Sequence, residues 1–359
     1  MSAASAGVAG TAVIFGGAAI FRLTSAAVVR GFPSPPALPA AAFQVGVREC
    51  RLGGIRARIF YPTDSPKPGT DGSIEEPYFP FGRATSDGLA GIVHFPSFLL
   101  AHLSTAGSGC VRAGTLAVRP SESAWPLLLY SHGYGGNADM GCYALRRQSS
   151  EGMVVVALEH QDGSASFAQT GNGTRVPFGT GGSRSFDARV QELLAAAEDV
   201  RNGALTAAMD WPESLVAVDR IAVGGHSYGC PTAMVACQRE GERFSHAILH
   251  DPAITRQTQA AQRGTAGVPG LYVLGDGYHA NPRIRDGVDL AMAGSASGSS
   301  IWHLAGAEHG NFVDAPFWAP LWVMRNLPLI PAAGSESPVV IHSKLAASGL
   351  QFLLPPTRD

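Results

Sequence analysis

The chain has 359 residues, of which 45% are hydrophobic and 15% charged, and its net charge is -2. That composition supplies a substantial core and excludes a disordered chain, and the absence of a basic run excludes nucleic acid as the main partner. The five cysteines (Cys50, Cys110, Cys142, Cys230, Cys237) are scattered and form no CxxC or CxxH pair, so neither a zinc site nor a disulfide scaffold is expected, although one disulfide stays open.

In chain order, residues 1–21 carry no charged side chain, and the first acidic residue is Glu49. About 20 apolar residues span a bilayer. The segment therefore reads as an anchor, as a secretory signal without the usual basic start, or as an organellar transit segment. An Ala/Gly tail is the plainer alternative. PSPPALPAAA (33–42) reads as a linker. The expected division is an apolar targeting or anchoring segment with its linker over 1–42, and one folded domain over 43–355.

Short apolar runs rich in β-branched residues predict strands over 43–49, 55–61, 127–130, 153–158, 220–223, 247–249, 271–274 and 300–304. Helices are predicted over 139–151, 186–209, 228–240, 282–292 and 338–353. The alternation from residue 127 onward implies a mostly parallel sheet of about eight strands with helices on both faces. The stretch 62–125 is too long for a hairpin loop and is expected to hold inserted structure near a substrate site.

The strongest local signal is Gly225-His226-Ser227-Tyr228-Gly229, a G-x-S-x-G between a predicted strand and a predicted helix. That is the context of a nucleophile elbow, and the architecture around it is the α/β-hydrolase fold. Ser227 is the candidate nucleophile. SHGYGG (131–136) follows the strand at 127–130, where this fold places one oxyanion-hole amide; the other follows the nucleophile. The amides of Tyr134 and Tyr228 are thus nominated, and His132 is expected only to shape the loop.

The base must come late in the chain. Among His279, His303, His309 and His342, His309 is preferred because GAEHGNF (306–312) follows the last predicted strand. Two carboxylates sit at strand ends, Asp251 in HAILHDPA and Asp276 in LYVLGDGYH, and spacing leaves the choice open. Glu159-His160-Gln161-Asp162 looks metal-like but lacks a helical His pair or a downstream partner. With no dinucleotide turn or phosphate loop, no cofactor is expected.

These motifs resemble the platelet-activating-factor acetylhydrolases of the plasma, lipoprotein-associated type. The likeness spreads over roughly 45–354 and rests on GIRARIFYPTD, EEPYFPFG, LLLYSHGYGG, VVVALEHQDGSAS, RIAVGGHSYG, HAILHDPA and AEHGNFVD. It implies a triad of Ser227, Asp251 and His309, with Asp276 in reserve, and oxyanion donors at Tyr134 and Tyr228. Cys230 departs from the family's second glycine, the distance from Asp251 to His309 is short, and the loop over 171–182 is compact and Gly-rich.

The implied activity is hydrolysis of a phospholipid with a short or oxidised sn-2 acyl chain, through an acyl-enzyme, without metal or organic cofactor. A membrane or lipoprotein surface is the implied partner. The rivals are an esterase of the same fold acting on other small or polymeric esters, and a slow-turnover receptor. FPSFLLAHL (95–103) and APFWAPLWVMRNLPLIP (315–331), the latter with Trp318 and Trp322, either face lipid or cover the sheet.

Overall fold

The computed structural model describes residues 35–119, 123–180, 185–256, 258–326 and 333–354. Most of the apolar N-terminal segment and the end of the 315–331 stretch lie outside the described residues.

Among the described residues ten strands form one sheet: β1 (Gln44–Leu52), β2 (Ile55–Thr63), β3 (Glu75–Pro77), β4 (Gly107–Arg112), β5 (Leu127–Ser131), β6 (Val154–Glu159), β7 (Ile221–His226), β8 (Phe244–His250), β9 (Gly270–Leu274) and β10 (Ser300–His303). Their order is β10-β9-β8-β7-β5-β6-β2-β1-β4-β3. From β10 to β6 every pairing is parallel, and β2 joins antiparallel between β6 and β1. The sequence predicts about eight strands. The two extra ones come from the 62–125 stretch, where β4 pairs with β1 and β3 with β4, so part of that insertion widens the sheet.

The central strands are buried at every position, as β5, β6 and β7 illustrate. Apolar runs without alternation form there because helices cover both faces. The helices are α1 (Arg83–Ile92), α2 (Cys142–Ser150), α3 (Ser185–Arg201), α4 (Ala204–Met209), α5 (Gly229–Glu240), α6 (Thr258–Arg263), α7 (Asp276–Ala280), α8 (Pro282–Ala293), α9 (Leu321–Arg325) and α10 (Pro338–Leu353). One core joins Leu193 and Val200 of α3 with Met234 of α5 against Leu129, Val156 and Val223 of the sheet. A second joins Leu145 of α2 and Leu353 of α10 against Leu128 and Val155. The single helix predicted over 186–209 is two, because Gly203 takes φ +81°, a left-handed conformation that interrupts the helix.

Trp318 is buried, and its indole N–H donates to the Tyr78 hydroxyl at 3.1 Å. Tyr78 donates in turn to Asp314 at 2.6 Å, and Asp314 also accepts the Tyr143 and Ala144 amides in the first turn of α2. Trp318 is therefore core, since a buried indole needs such a partner, and the lipid-facing alternative fails for it. Trp322 is 49% exposed. In FPSFLLAHL, Leu99, Leu100 and Leu103 are buried and Phe98 points outward. All five cysteines are free thiols.

Candidate active site

The turn from β7 into α5 carries Ser227 at φ +55°, a conformation that costs energy in any residue with a side chain. Crowding explains the flanking glycines. A Cβ at Gly225 would sit 2.6 Å from the Ser131 carbonyl oxygen, and one at Gly229 would sit 2.0 Å from it. The elbow is thus pressed against the end of β5, where the SHGYGG loop begins. Cys230 occupies the place of the family's second glycine and is accommodated: its thiol is buried 3.1 Å from the Gly225 oxygen and 3.2 Å from the His250 oxygen.

Asp251 follows β8, is fully buried, and takes φ +47°. Its Oδ2 lies 3.0 Å from His309 Nδ1, and its Oδ1 accepts the Gly275 amide at 2.7 Å. Burial pushes the Asp251 carboxyl above its usual range, against the opposing pull of its hydrogen bond with His309. His309 opens a short turn over His309–Phe312 that is fixed by the Asn311 side chain accepting the Glu308 amide at 2.9 Å. Its imidazole is 19% exposed, so it can meet both the protein and an incoming substrate.

The other carboxylate, Asp276, turns elsewhere. Its Oδ1 lies 2.8 Å from His303 Nε2, and its Oδ2 accepts the Gly306 amide at 3.0 Å. His303 stacks on His279 with ring centres 3.9 Å apart, and His342 is buried against Tyr143 and Phe317. His226, within the elbow motif, backs the His309 turn. Its Nε2 lies 3.1 Å from the His309 carbonyl oxygen, and burial holds its pKa well below the usual imidazole value.

Gly133 packs against the elbow so closely that a Cβ there would lie 3.2 Å from the Ser227 Cβ. Tyr134 is the next residue of that loop, and among the described residues no backbone acceptor takes its amide. His132 shapes the loop, with Nδ1 2.8 Å from the Gly133 oxygen. The distinctive EH-x-D-x-SAS segment supplies the frame. Ser164 O accepts the Gly135 amide at 2.8 Å, and the Ser166 amide donates to Gly136 O at 2.9 Å. His160 Nε2 lies 3.0 Å from Ser131 Oγ, and its Nδ1 lies 2.8 Å from Glu192. Glu159 pairs instead with Arg56 at 2.6 Å. The motif is a scaffold whose polar groups are committed to different partners.

Arg189 completes that scaffold, and sequence reasoning passed it over. It is wholly buried in α3. It donates to Thr232 Oγ1 at 3.0 Å, to Ser131 Oγ at 3.1 Å, and to the His132 oxygen and Ser164 Oγ, and it faces Asp162 at 3.9 Å. The signal was present: Arg189 lies four residues before Leu193 and eight before Ala197, on the buried stripe of the helix. A charge on an apolar stripe needs partners. Here one guanidinium links α3, the SHGYGG loop, the EH-x-D-x-SAS segment and the elbow helix.

A hydroxyl on a strained turn, an imidazole held by a buried carboxylate and nearby backbone amides are the parts that acyl transfer requires. A solved ferulic acid esterase from Streptomyces cinnamoneus is similar in structure, with a TM-score of 0.60 and 17% identity over 90% of this chain and 92% of that one. The shared architecture is the α/β-hydrolase fold. A Schizosaccharomyces pombe protein named "Putative phospholipase A2" is 29% identical over 120 residues, 33% of this chain and 26% of that protein's length. The model of the family "Platelet-activating factor acetylhydrolase, isoform II" matches residues 41–174 and 195–355. The chain belongs to the family of platelet-activating factor acetylhydrolase, isoform II.

Proposed function

We propose that the protein is a serine esterase that hydrolyses the sn-2 short-chain or oxidised acyl ester of phospholipids resembling platelet-activating factor. The observation that carries the reading is the 3.0 Å contact between buried Asp251 and His309, in the same site as the elbow serine. In this reading Ser227 attacks the ester carbonyl and His309 takes its proton. Asp251 holds the imidazole in the tautomer that can accept it. The amides of Tyr134 and Tyr228 receive the oxyanion, and water then releases the acyl group. The chain's own residues supply every role, without metal or organic cofactor. A membrane or lipoprotein surface presents the substrate, and the apolar N-terminus directs the chain to a membrane, an organelle or the exterior.

A second reading, an esterase for other small or polymeric esters, draws on the aromatic surface beside Ser227. Tyr134 is 50% exposed and meets Phe178, itself 40% exposed, with ring centres 5.1 Å apart. Tyr228 also meets Tyr134, with ring centres 5.8 Å apart. Such a surface accepts aryl as well as alkyl groups. The test is a turnover screen of esters varied in acyl length and headgroup, run with wild type and Ser227→Ala. The lead reading expects turnover of short sn-2 phospholipid esters that Ser227→Ala reduces by roughly 10⁴ or more. Turnover confined to soluble or aryl esters moves the assignment to the second reading. Undiminished turnover in folded Ser227→Ala removes both.

A further inference from the structure

The mechanism above leaves Tyr278 without a role, yet it sits against two of the groups that the mechanism uses. Its ring lies parallel to the His309 imidazole, with centres 4.7 Å apart and planes 4° apart. Its hydroxyl faces the Ser227 side chain, close enough for either hydroxyl to donate to the other. The residue is half-buried, in the short helix α7 that follows β9.

The placement is built by several contacts. Asp251 accepts the Gly275 amide with the oxygen that does not face His309. The Asp276 amide donates to the Ala307 oxygen at 2.7 Å, and the Asp276 carboxylate accepts the Gly306 amide. The Glu308 carboxylate packs against Gly277, where a Cβ would lie 2.8 Å from its Oε2. The start of α7 is thereby clamped to the segment that ends in His309. Asp276, which does not reach His309, belongs to the clamp that sets Tyr278 over it.

We propose, building on the Ser227–His309 reading, that Tyr278 is a further catalytic residue: its phenol donates to Ser227 Oγ and assists departure of the serine from the acyl group, while its ring covers the imidazole. The chemistry is asymmetric between the two half-reactions. A donor on Oγ leaves the serine's own proton for His309, but it also draws electron density from the attacking oxygen. In deacylation the same oxygen is the leaving group. Water adds to the acyl carbonyl and gives its proton to His309. The C–Oγ bond then breaks, Oγ takes that proton from His309, and the carboxylic acid departs. Tyr278 exchanges no proton, and its donated hydrogen bond stabilises the charge that gathers on Oγ. Burial pushes the phenol well above its ordinary pKa, which keeps it a donor through the neutral range. The ring face meanwhile favours the imidazolium that forms in each step.

The test is stopped-flow hydrolysis of p-nitrophenyl acetate by full-length wild type, Tyr278→Phe and Tyr278→Leu. Tyr278→Phe keeps the stacked ring and removes the donor. The expected result is a fall of about 10-fold or more in the ratio of deacylation to acylation rate, seen as a burst approaching one p-nitrophenol per enzyme before a slower steady state. Tyr278→Leu should show the same burst with a further loss of acylation rate. If one variant fails to fold, the other carries the burst measurement. A wild-type ratio in the folded variants, or a loss confined to acylation, overturns the proposal. Ser227→Ala separates the two levels of inference: if it retains turnover, the underlying reading fails, and if it is inactive while Tyr278→Phe keeps the wild-type ratio, only the role of Tyr278 fails.

Discussion

Asp251 Oδ2 stands 3.0 Å from His309 Nδ1 across a separation of 58 residues, with Asp251 fully buried. The same carboxylate accepts the Gly275 amide, so it orders two loops at once. Burial works against its charge, and a group kept at such a cost points to function. Asp251→Asn should lower esterase turnover by on the order of 10⁴ while leaving stability at neutral pH equal or higher. The sign follows from its raised pKa: the folded state disfavours ionisation, so stability is lost as pH rises through the titration, and Asn escapes that loss. Asp276→Asn should cost far less activity. Steady-state rates beside urea melts check this, and the reverse ranking in folded variants would give the role to Asp276.

Arg189 is the next point of failure. Its guanidinium ties Ser131, His132, Ser164 and Thr232 together, and Asp162 is its nearby carboxylate. Arg189→Met should destabilise the fold by about 3–5 kcal/mol, because Asp162 is left buried beside an apolar chain. In the molecules that remain folded, kcat should fall ~10²-fold with KM nearly constant, as the loop bearing the Tyr134 amide loses its register. Arg189→Lys should rescue little, since an ammonium lacks the planar fork. Unaltered kcat per folded molecule would show that the loop holds itself.

What the sequence made legible was local. The glycines around Ser227, the loop after β5 and the loop carrying His309 each mark a turn that a few adjacent residues impose. Long-range facts were not legible in the same way. Asp251 and Asp276 share one signature, a carboxylate after a strand, and only the packing of the loops shows which approaches His309. β3 and β4 read as Glu-Glu-Pro and Gly-Ser-Gly-Cys-Val-Arg, with no apolar run, and are strands because β1 offers an edge to pair with. Trp318 and Trp322 looked alike four residues apart, yet Tyr78 holds one of them in the core. Tyr278 carries no motif and gains its position from the clamp around Asp276.

Glu192 gives a prediction in pH. Burial raises it to about 7, over the opposing pulls of the Gln161 amide and the Arg189 charge. Its partner His160 is pushed well below its usual value by burial, so it stays neutral. The folded state therefore holds the Glu192 proton more tightly than the unfolded chain does. The stability this contributes is full below the ordinary glutamate range, near 4.5, and is lost as pH rises through about 7. Glu192→Gln cannot ionise, so its Tm should gain on the wild-type Tm as pH rises from mildly acid to mildly alkaline. A Tm difference that stays flat across that range would remove Glu192 as a titrating group.

The two tryptophans of the 315–331 stretch should now behave oppositely. Trp318 is 4% exposed and donates to Tyr78, whose hydroxyl donates to Asp314 at the first turn of α2. Trp318→Ala removes a large buried ring and a hydrogen bond, and should cost about 3–5 kcal/mol of stability. The loss should reach the site only through the fold, so surviving molecules keep their rate on a soluble short-chain ester. Trp322 lies on α9 and is 49% exposed. An exposed indole is suited to the boundary between lipid and water. Trp322→Ala should leave the urea midpoint within error and weaken binding to phosphatidylcholine vesicles, by up to about 2 kcal/mol if the ring enters the interface. Paired urea melts and vesicle sedimentation separate the two effects. Vesicle binding unchanged in Trp322→Ala would remove this face from any lipid contact, and a stable Trp318→Ala would contradict its place in the core.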